Sequence, residues 1–176
     1  MMKQGKRILL FTGDGKGKTT AALGMALRAS GHGMKTMIIQ FVKSDPSTGE
    51  LSACRNLPGC EIVQTGKGFV PAQADAAFKE HVRAAAEGMQ LAAKAISEDR
   101  YDLVILDEVC TAVAKGLIAV GEVIEIVKRD ARGPCVVLTG RNAPAELISL
   151  ADTVTDMRMV KHGFKAGWEG REGVEY

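Results

Sequence analysis

Between Gly13 and Thr20 the chain reads GDGKGKTT, with three glycines, two lysines and two threonines in eight positions. Glycines let a backbone bend until successive N–H groups converge on an anion. Lys16 and Lys18 place positive charge beside such a site, and Lys18 can reach phosphate oxygens as a point charge. Thr19 offers a hydroxyl to Mg²⁺, and Thr20 extends the polar edge. Ile8 to Phe11, just before the loop, form a short apolar run, while Lys18 onward has helical spacing. The order is strand, phosphate-binding loop, helix, with the positive end of the helix directed at the anion. The plain alternative is a Gly/Lys-rich turn that binds nothing.

The loop departs from the G-x-x-x-x-G-K-[ST] template. Counting back from Gly17-Lys18-Thr19 puts Thr12 in the first glycine position, and starting from Gly13 leaves the loop one residue short. Asp14 brings a negative charge into an anion site. It must face away from phosphate, cap the helix or bind a cation through water.

A second chemical signal is YDLVILDE, residues 101–108, an apolar strand ending in Asp107 and Glu108. This is the Walker-B arrangement, in which an acid at a strand end holds Mg²⁺ against phosphate oxygens. Asp107 is the expected metal residue. Glu108 is a second metal contact or, in an ATPase, the group that orients an attacking water. A third is VVLTGR, residues 136–141, where Arg141 follows a strand end and a small-residue turn. Its fork suits phosphate or carboxylate, or a surface ion pair. Arg28 is a weaker nucleotide candidate, about 15 Å beyond the loop along a helix rising about 1.5 Å per residue. Phe69, in the loop Gly66-Lys67-Gly68-Phe69, is a cover for a flat ligand or a packing anchor. His32, His81 and His162 have no ligand spacing. No Ser-His-Asp or Cys-His constellation can be argued from spacing.

The elements that must position these residues alternate. Strands are expected at Ile8–Phe11, Thr36–Val42, Glu61–Gln64, Leu103–Leu106, Cys135–Leu138 and Thr153–Met157. Helices are expected at Lys18–Ser30, Ala72–Glu98 (with Gly88 a tolerated interruption), Leu117–Arg129 and Ala143–Leu150. Residues 43–58 read as loop or short helix, and the tail from Lys161 as irregular. Strands separated by helices imply right-handed crossovers and a parallel sheet covered on both faces. Ligands then lie beyond the carboxyl ends of the strands, where Thr12, Asp107 and Thr139 fall.

At 176 residues, 46% apolar and 25% charged, the chain has the composition of one soluble globular domain spanning residues 1–176. A net charge of +2 gives no electrostatic case for nucleic acid. No apolar run is long enough to span a bilayer, and MMKQGKR leads into a strand rather than a signal-peptide core, so no membrane partner and a cytoplasmic location are expected. Four cysteines without a C-x-x-C pair read as reduced thiols, with Cys135 buried and Cys54 and Cys60 either loop thiols, a metal pair or a disulfide.

Taken in order, GDGKGKTTAALGMALRASGHG, QFVK with TGE, GKGF, DLVILDEV, VVLTGR with NAPAELISLADTVTDMR, and KHGFKAGWEGREGVEY resemble the P-loop type of ATP:corrinoid adenosyltransferase over nearly the whole chain. That resemblance implies an α/β, P-loop NTPase-like fold with a mainly parallel sheet of about six strands and helices on both faces. It implies that cobalt(I) of a reduced corrinoid, cobalamin or cobyrinic acid a,c-diamide, attacks C5′ of ATP and releases tripolyphosphate. It also implies Mg²⁺ (or Mn²⁺), a flavoprotein reductant and a homodimer. Lys16, Lys18 and Glu108 become the expected catalytic groups. Gly13 to Thr20, Arg28, Arg141 and Phe69 become the expected ligand contacts, and Thr19, Asp107 and Glu108 the metal residues. Two positions differ from the family pattern: Asp14 stands where Asn is common, and Pro71 where an aromatic often follows the GF of the corrinoid-side loop. The competing readings are an ATPase or kinase acting at the γ-phosphate and an inactive nucleotide-binding module.

Overall fold

A computed structural model describes residues 5–163 and 167–174. Its elements, in chain order, are β1 (Ile8–Thr12), α1 (Lys18–Gly31), β2 (Thr36–Gln40), α2 (Gly49–Asn56), β3 (Cys60–Gln64), α3 (Phe78–Ser97), β4 (Leu103–Asp107), α4 (Val109–Ala114), α5 (Val120–Lys128), β5 (Cys135–Thr139), α6 (Ala145–Leu150) and β6 (Thr153–Asp156). The six strands form one sheet in the order β3-β2-β4-β5-β1-β6. All five pairings are parallel. The fold is α/β and P-loop NTPase-like, as the sequence leads one to expect.

Strand alternation decides which helix covers which face. Leu10, Ile39, Val104, Leu106, Val136 and Leu138 point to one side and pack with residues of α3, α4, α5 and α6. Ile38, Ile105 and Val137 point to the other and pack with Ala22, Ala26 and Ala29 of α1 and Cys54 of α2. With helices on both faces the central strands have no polar side, which is why β2 and β4 are buried at every position. The edge strand β6 is exposed throughout.

Four local readings need correction. The helix expected from Ala72 starts at Phe78. Asp75 takes the N–H of Ala77 at 2.8 Å on its own carboxylate, and residues 72–78 close into turns instead. Alanine richness alone does not outweigh that local competitor. The short helix α4 has no counterpart among the expected elements, because six residues carry too little periodicity to register. Gly88 is not a tolerated interruption. A Cβ there would lie 2.6 Å from Thr65 Oγ1 and 2.8 Å from Phe41 Cε1, so α3 reaches the end of β2 only because the position is glycine. Cys135 is half-buried rather than buried.

Candidate active site

The loop after β1 folds as its glycines require. Gly13 (φ 95°) and Gly17 (φ 111°) adopt left-handed conformations that disfavour other residues. Gly15 donates its N–H to Met157 O at 2.6 Å, just past β6. A Cβ on Gly15 would sit 2.5 Å from that same oxygen, and one on Gly13 would sit 2.2 Å from Asp156 Oδ1. The end of β6 therefore braces the loop from below, and α1 begins at once with Lys18.

Lys18 spans the loop from inside. Its ammonium donates to Gly13 O and Gly15 O, both at 2.7 Å. Burial pushes its pKa below the ordinary lysine value, opposed by the charges of Glu108, Asp14 and Asp107. Lys16 is exposed and donates to Val174 O at 2.9 Å, which ties the tail to the loop. Asp14 is exposed at the loop's tip.

Facing the loop is a carboxylate hub. Asp107, 1% exposed, ends β4. Its Oδ1 accepts from Thr19 Oγ1 at 2.8 Å and Thr139 Oγ1 at 2.7 Å. Its Oδ2 accepts from Gln40 Nε2 at 3.1 Å and pairs with Lys43 Nζ at 3.3 Å. Gln64 donates to Gln40 Oε1 at 3.0 Å, so the ends of β3, β2, β4 and β5 are laced together by side chains. Lys43 also pairs with Glu50 of α2 at 3.1 Å. Burial works against the charge on Lys43, but Asp107 and Glu50 outweigh it and hold its pKa above the usual value. Burial likewise opposes charge on Glu50, yet its backbone N–H and Lys43 keep its pKa below the usual value.

Glu108 follows with φ 62°, an uncommon conformation for a non-glycine residue. Its N–H donates to Thr139 Oγ1 at 2.9 Å, and its carboxylate accepts from the Thr111 hydroxyl. Thr111 Oγ1 in turn accepts the Arg141 N–H at 3.0 Å. The kink thus turns the Glu108 side chain off the strand axis and toward the loop.

Loop, hub and tail enclose a cleft of about 690 Å³. Gly15, Lys16, Gly17, Lys18, Thr19, Thr20, Glu108 and Arg141 line it. Asp107 lies beneath Thr19, while Gly13 and Asp14 belong to the loop without lining the cleft. Two expected contacts are not brought to it. Arg28 sits exposed in the last turn of α1, and Phe69 is 92% exposed on the loop between β3 and α3. Among the lining residues that escaped the motif reading are Lys43, Glu50, Thr111, His162 and Val174. The segments QFVK, TGE and KHGFKAGWEGREGVEY contain four of them, so their signal lay in the order of segments rather than in any local pattern.

The oxygen donors at the cleft floor, Thr19 Oγ1 and Asp107 Oδ1, are the hard ligands that Mg²⁺ requires. The chemistry of this donor set fits that ion, and Thr19, Asp107 and Glu108 are the residues that would hold it.

A glycine loop between a central parallel strand and a helix, faced by an acid at the end of another strand, defines the P-loop NTPase-like class of α/β proteins. Comparison with known proteins narrows this. The family model described as ATP:corrinoid adenosyltransferase BtuR/CobO/CobP matches residues 4–176. The chain belongs to that family and is a transferase of this type. A corrinoid adenosyltransferase of a Sinorhizobium species is 38% identical over 172 residues, covering 96% of this chain and 79% of the relative. The corrinoid adenosyltransferases of Pseudomonas aeruginosa and Escherichia coli K12 are also 38% identical, across 96% of this chain and 83% and 85% of theirs.

Proposed function

We propose that residues 1–176 act as one adenosyltransferase domain that moves the 5′-deoxyadenosyl group of ATP to cobalt(I) of a reduced corrinoid. The acceptor is cobalamin or cobyrinic acid a,c-diamide, in adenosylcobalamin biosynthesis or salvage. The cobalt(I) electron pair forms the Co–C5′ bond as the C5′–O bond breaks. That bonding pair leaves on the triphosphate, which departs as tripolyphosphate. The nucleophile belongs to the substrate, so the protein need supply no general base. Its task is to expose C5′ and to stabilise charge on the leaving group.

The observation that carries this reading is the arrangement of Lys18. Its ammonium is fixed inside the glycine loop by two carbonyls, directly beside the backbone N–H groups that would take the triphosphate. Lys16 and Arg141 add charge from the tip and the far wall of the same cleft. Thr19, Asp107 and Glu108 would hold Mg²⁺ (or Mn²⁺), which when bound would supply further counter-charge to the phosphate oxygens. Glu108, buttressed by Thr111, keeps its carboxylate at the cleft edge. Phe69, exposed on its loop, offers an aromatic face to the flat corrinoid. The reading includes a homodimer, a flavoprotein reductant and a cytoplasmic setting. Among the described residues no helix is long and apolar enough to cross a membrane.

The deciding experiment incubates the protein with MgATP, a corrinoid and a strong reductant. Tripolyphosphate together with a light-sensitive cobalt–carbon product is the expected result. ADP formed without any need for corrinoid would overturn it in favour of an ATPase or kinase. Nucleotide binding with neither product would leave a binding module.

A further inference from the structure

The four hydrogen-bonding positions of the Asp107 carboxylate are all taken. Thr19 and Thr139 occupy Oδ1, and Gln40 and Lys43 occupy Oδ2. Thr139 and Gln40 are wholly buried within the strand ends and cannot withdraw without disturbing the sheet. Lys43 differs. It follows β2 in the connection to α2, its side chain is 29% exposed, and among the described partners of Asp107 it is the one that carries a formal positive charge. Its second partner, Glu50 Oε1 at 3.1 Å, lines the same cleft. A Lys43 ammonium leaving Asp107 therefore keeps a carboxylate and is never stranded as an unpaired charge.

We infer that Lys43 is a built-in competitor of the divalent ion at Asp107: a swinging cation that holds the carboxylate in place and yields it only when metal and nucleotide arrive together. A metal ion at either Asp107 oxygen would stand close to the Lys43 ammonium and be repelled by it, so bare metal binds weakly. Nucleotide brings negative charge into the cleft beside Lys43. That charge offers the ammonium a second resting place and lets the metal in. Glu50 is a positioning residue in this scheme, acting through Lys43 as its parking site. The inference rests on the reading of Asp107 as a metal residue.

Mn²⁺ binding to the full chain, followed by electron paramagnetic resonance without corrinoid or reductant, tests both layers separately. Lys43→Met should bind Mn²⁺ in the absence of nucleotide about tenfold more tightly than wild type, because the local positive charge is gone. Lys43→Arg, which keeps the charge, should stay within about twofold of wild type and controls for lost packing. Asp107→Asn should lose Mn²⁺ binding whether or not ATP is present. Unchanged or weaker Mn²⁺ affinity in Lys43→Met, with Asp107→Asn still losing the metal, overturns the competitor role alone. Retention of Mn²⁺–ATP binding by Asp107→Asn overturns the metal reading and the inference with it. Circular dichroism on each variant separates these outcomes from unfolding. If Lys43→Met does not fold, Glu50→Gln decides: without its parking site Lys43 should hold Asp107 harder and weaken Mn²⁺–ATP binding severalfold, and unaltered binding would refute the scheme.

Discussion

The two walls of the cleft are built by different means. The phosphate-loop wall, Gly13 to Thr20, is shaped mainly by backbone: left-handed glycines, a main-chain bond from Gly15 to Met157, and a lysine anchored on carbonyls. The opposite wall, Gln40, Lys43, Glu50, Asp107 and Thr139, is a side-chain lattice with almost every polar atom paired. A backbone-built wall tolerates no added atoms, because there is nothing to repack. A lattice tolerates changes of shape but not the loss of one partner, because a buried polar group is then stranded. On the proposed function, one wall would present fixed donors to an anion, and the other would hold an acid for a cation.

The sharpest break in that comparison comes from Lys18→Ala. It removes the buried cation held on the loop carbonyls and should lower kcat/KM for ATP roughly 10²–10³-fold. Steady-state kinetics with saturating corrinoid measure it, and near-normal turnover would mean that the loop does not carry the leaving-group charge. Next is Gly15→Ala, whose methyl would press on Met157 O. It should cost about 1–3 kcal/mol of stability, read as a fall in melting temperature. Full stability would show that β6 does not brace the loop. Thr139→Val keeps the shape of the lattice wall but strips Asp107 of one donor and the Glu108 N–H of its acceptor. A loss of about 1–2 kcal/mol in urea unfolding is expected. A neutral result would mean that the lattice is redundant. The smallest effect belongs to Phe69→Ala, outside both walls. Stability should hold within about 0.5 kcal/mol, since the ring is exposed. The KM for corrinoid should rise severalfold with that for ATP unchanged, and equal loss of both affinities would remove Phe69 from the corrinoid side.

The difference between the walls also explains what could be read from the sequence. The loop wall is contiguous, so its glycines, lysines and hydroxyls announce themselves in eight residues. The inner strands were legible for a related reason: a parallel strand buried on two faces is an unbroken apolar run, as at Leu103–Leu106, whereas the edge strands β3 and β6 are partly or wholly exposed. The strand order in the sheet was not legible, because β1 lies between β5 and β6 through pairings remote in sequence. The lattice wall was legible only in part. Asp107 stood out at a strand end, but Lys43, Glu50 and Thr111 lie in connections or short helices, and nothing local marks them as neighbours of Asp107. Arg28 shares a helix with Lys18, and the helix carries it to its far end, outside the lining of the cleft.

The brace under the loop has a consequence for biosynthesis. Thr12 pairs with Asp156, and the Met157 N–H donates to Thr12 O at 2.8 Å, so a segment near the start of the chain is completed by one near its end. On a ribosome adding about 5–20 residues per second, the nascent loop would wait on the order of 10 s for its support to be translated. During that interval β1 lacks its β6 neighbour, and its glycines are free to sample other shapes. The cleft beside the loop is then completed only once the end of β6 has been translated, well after the GDGKGKTT signature itself. A polypeptide released before Met157 would carry the whole GDGKGKTT motif without the strand end that gives it form.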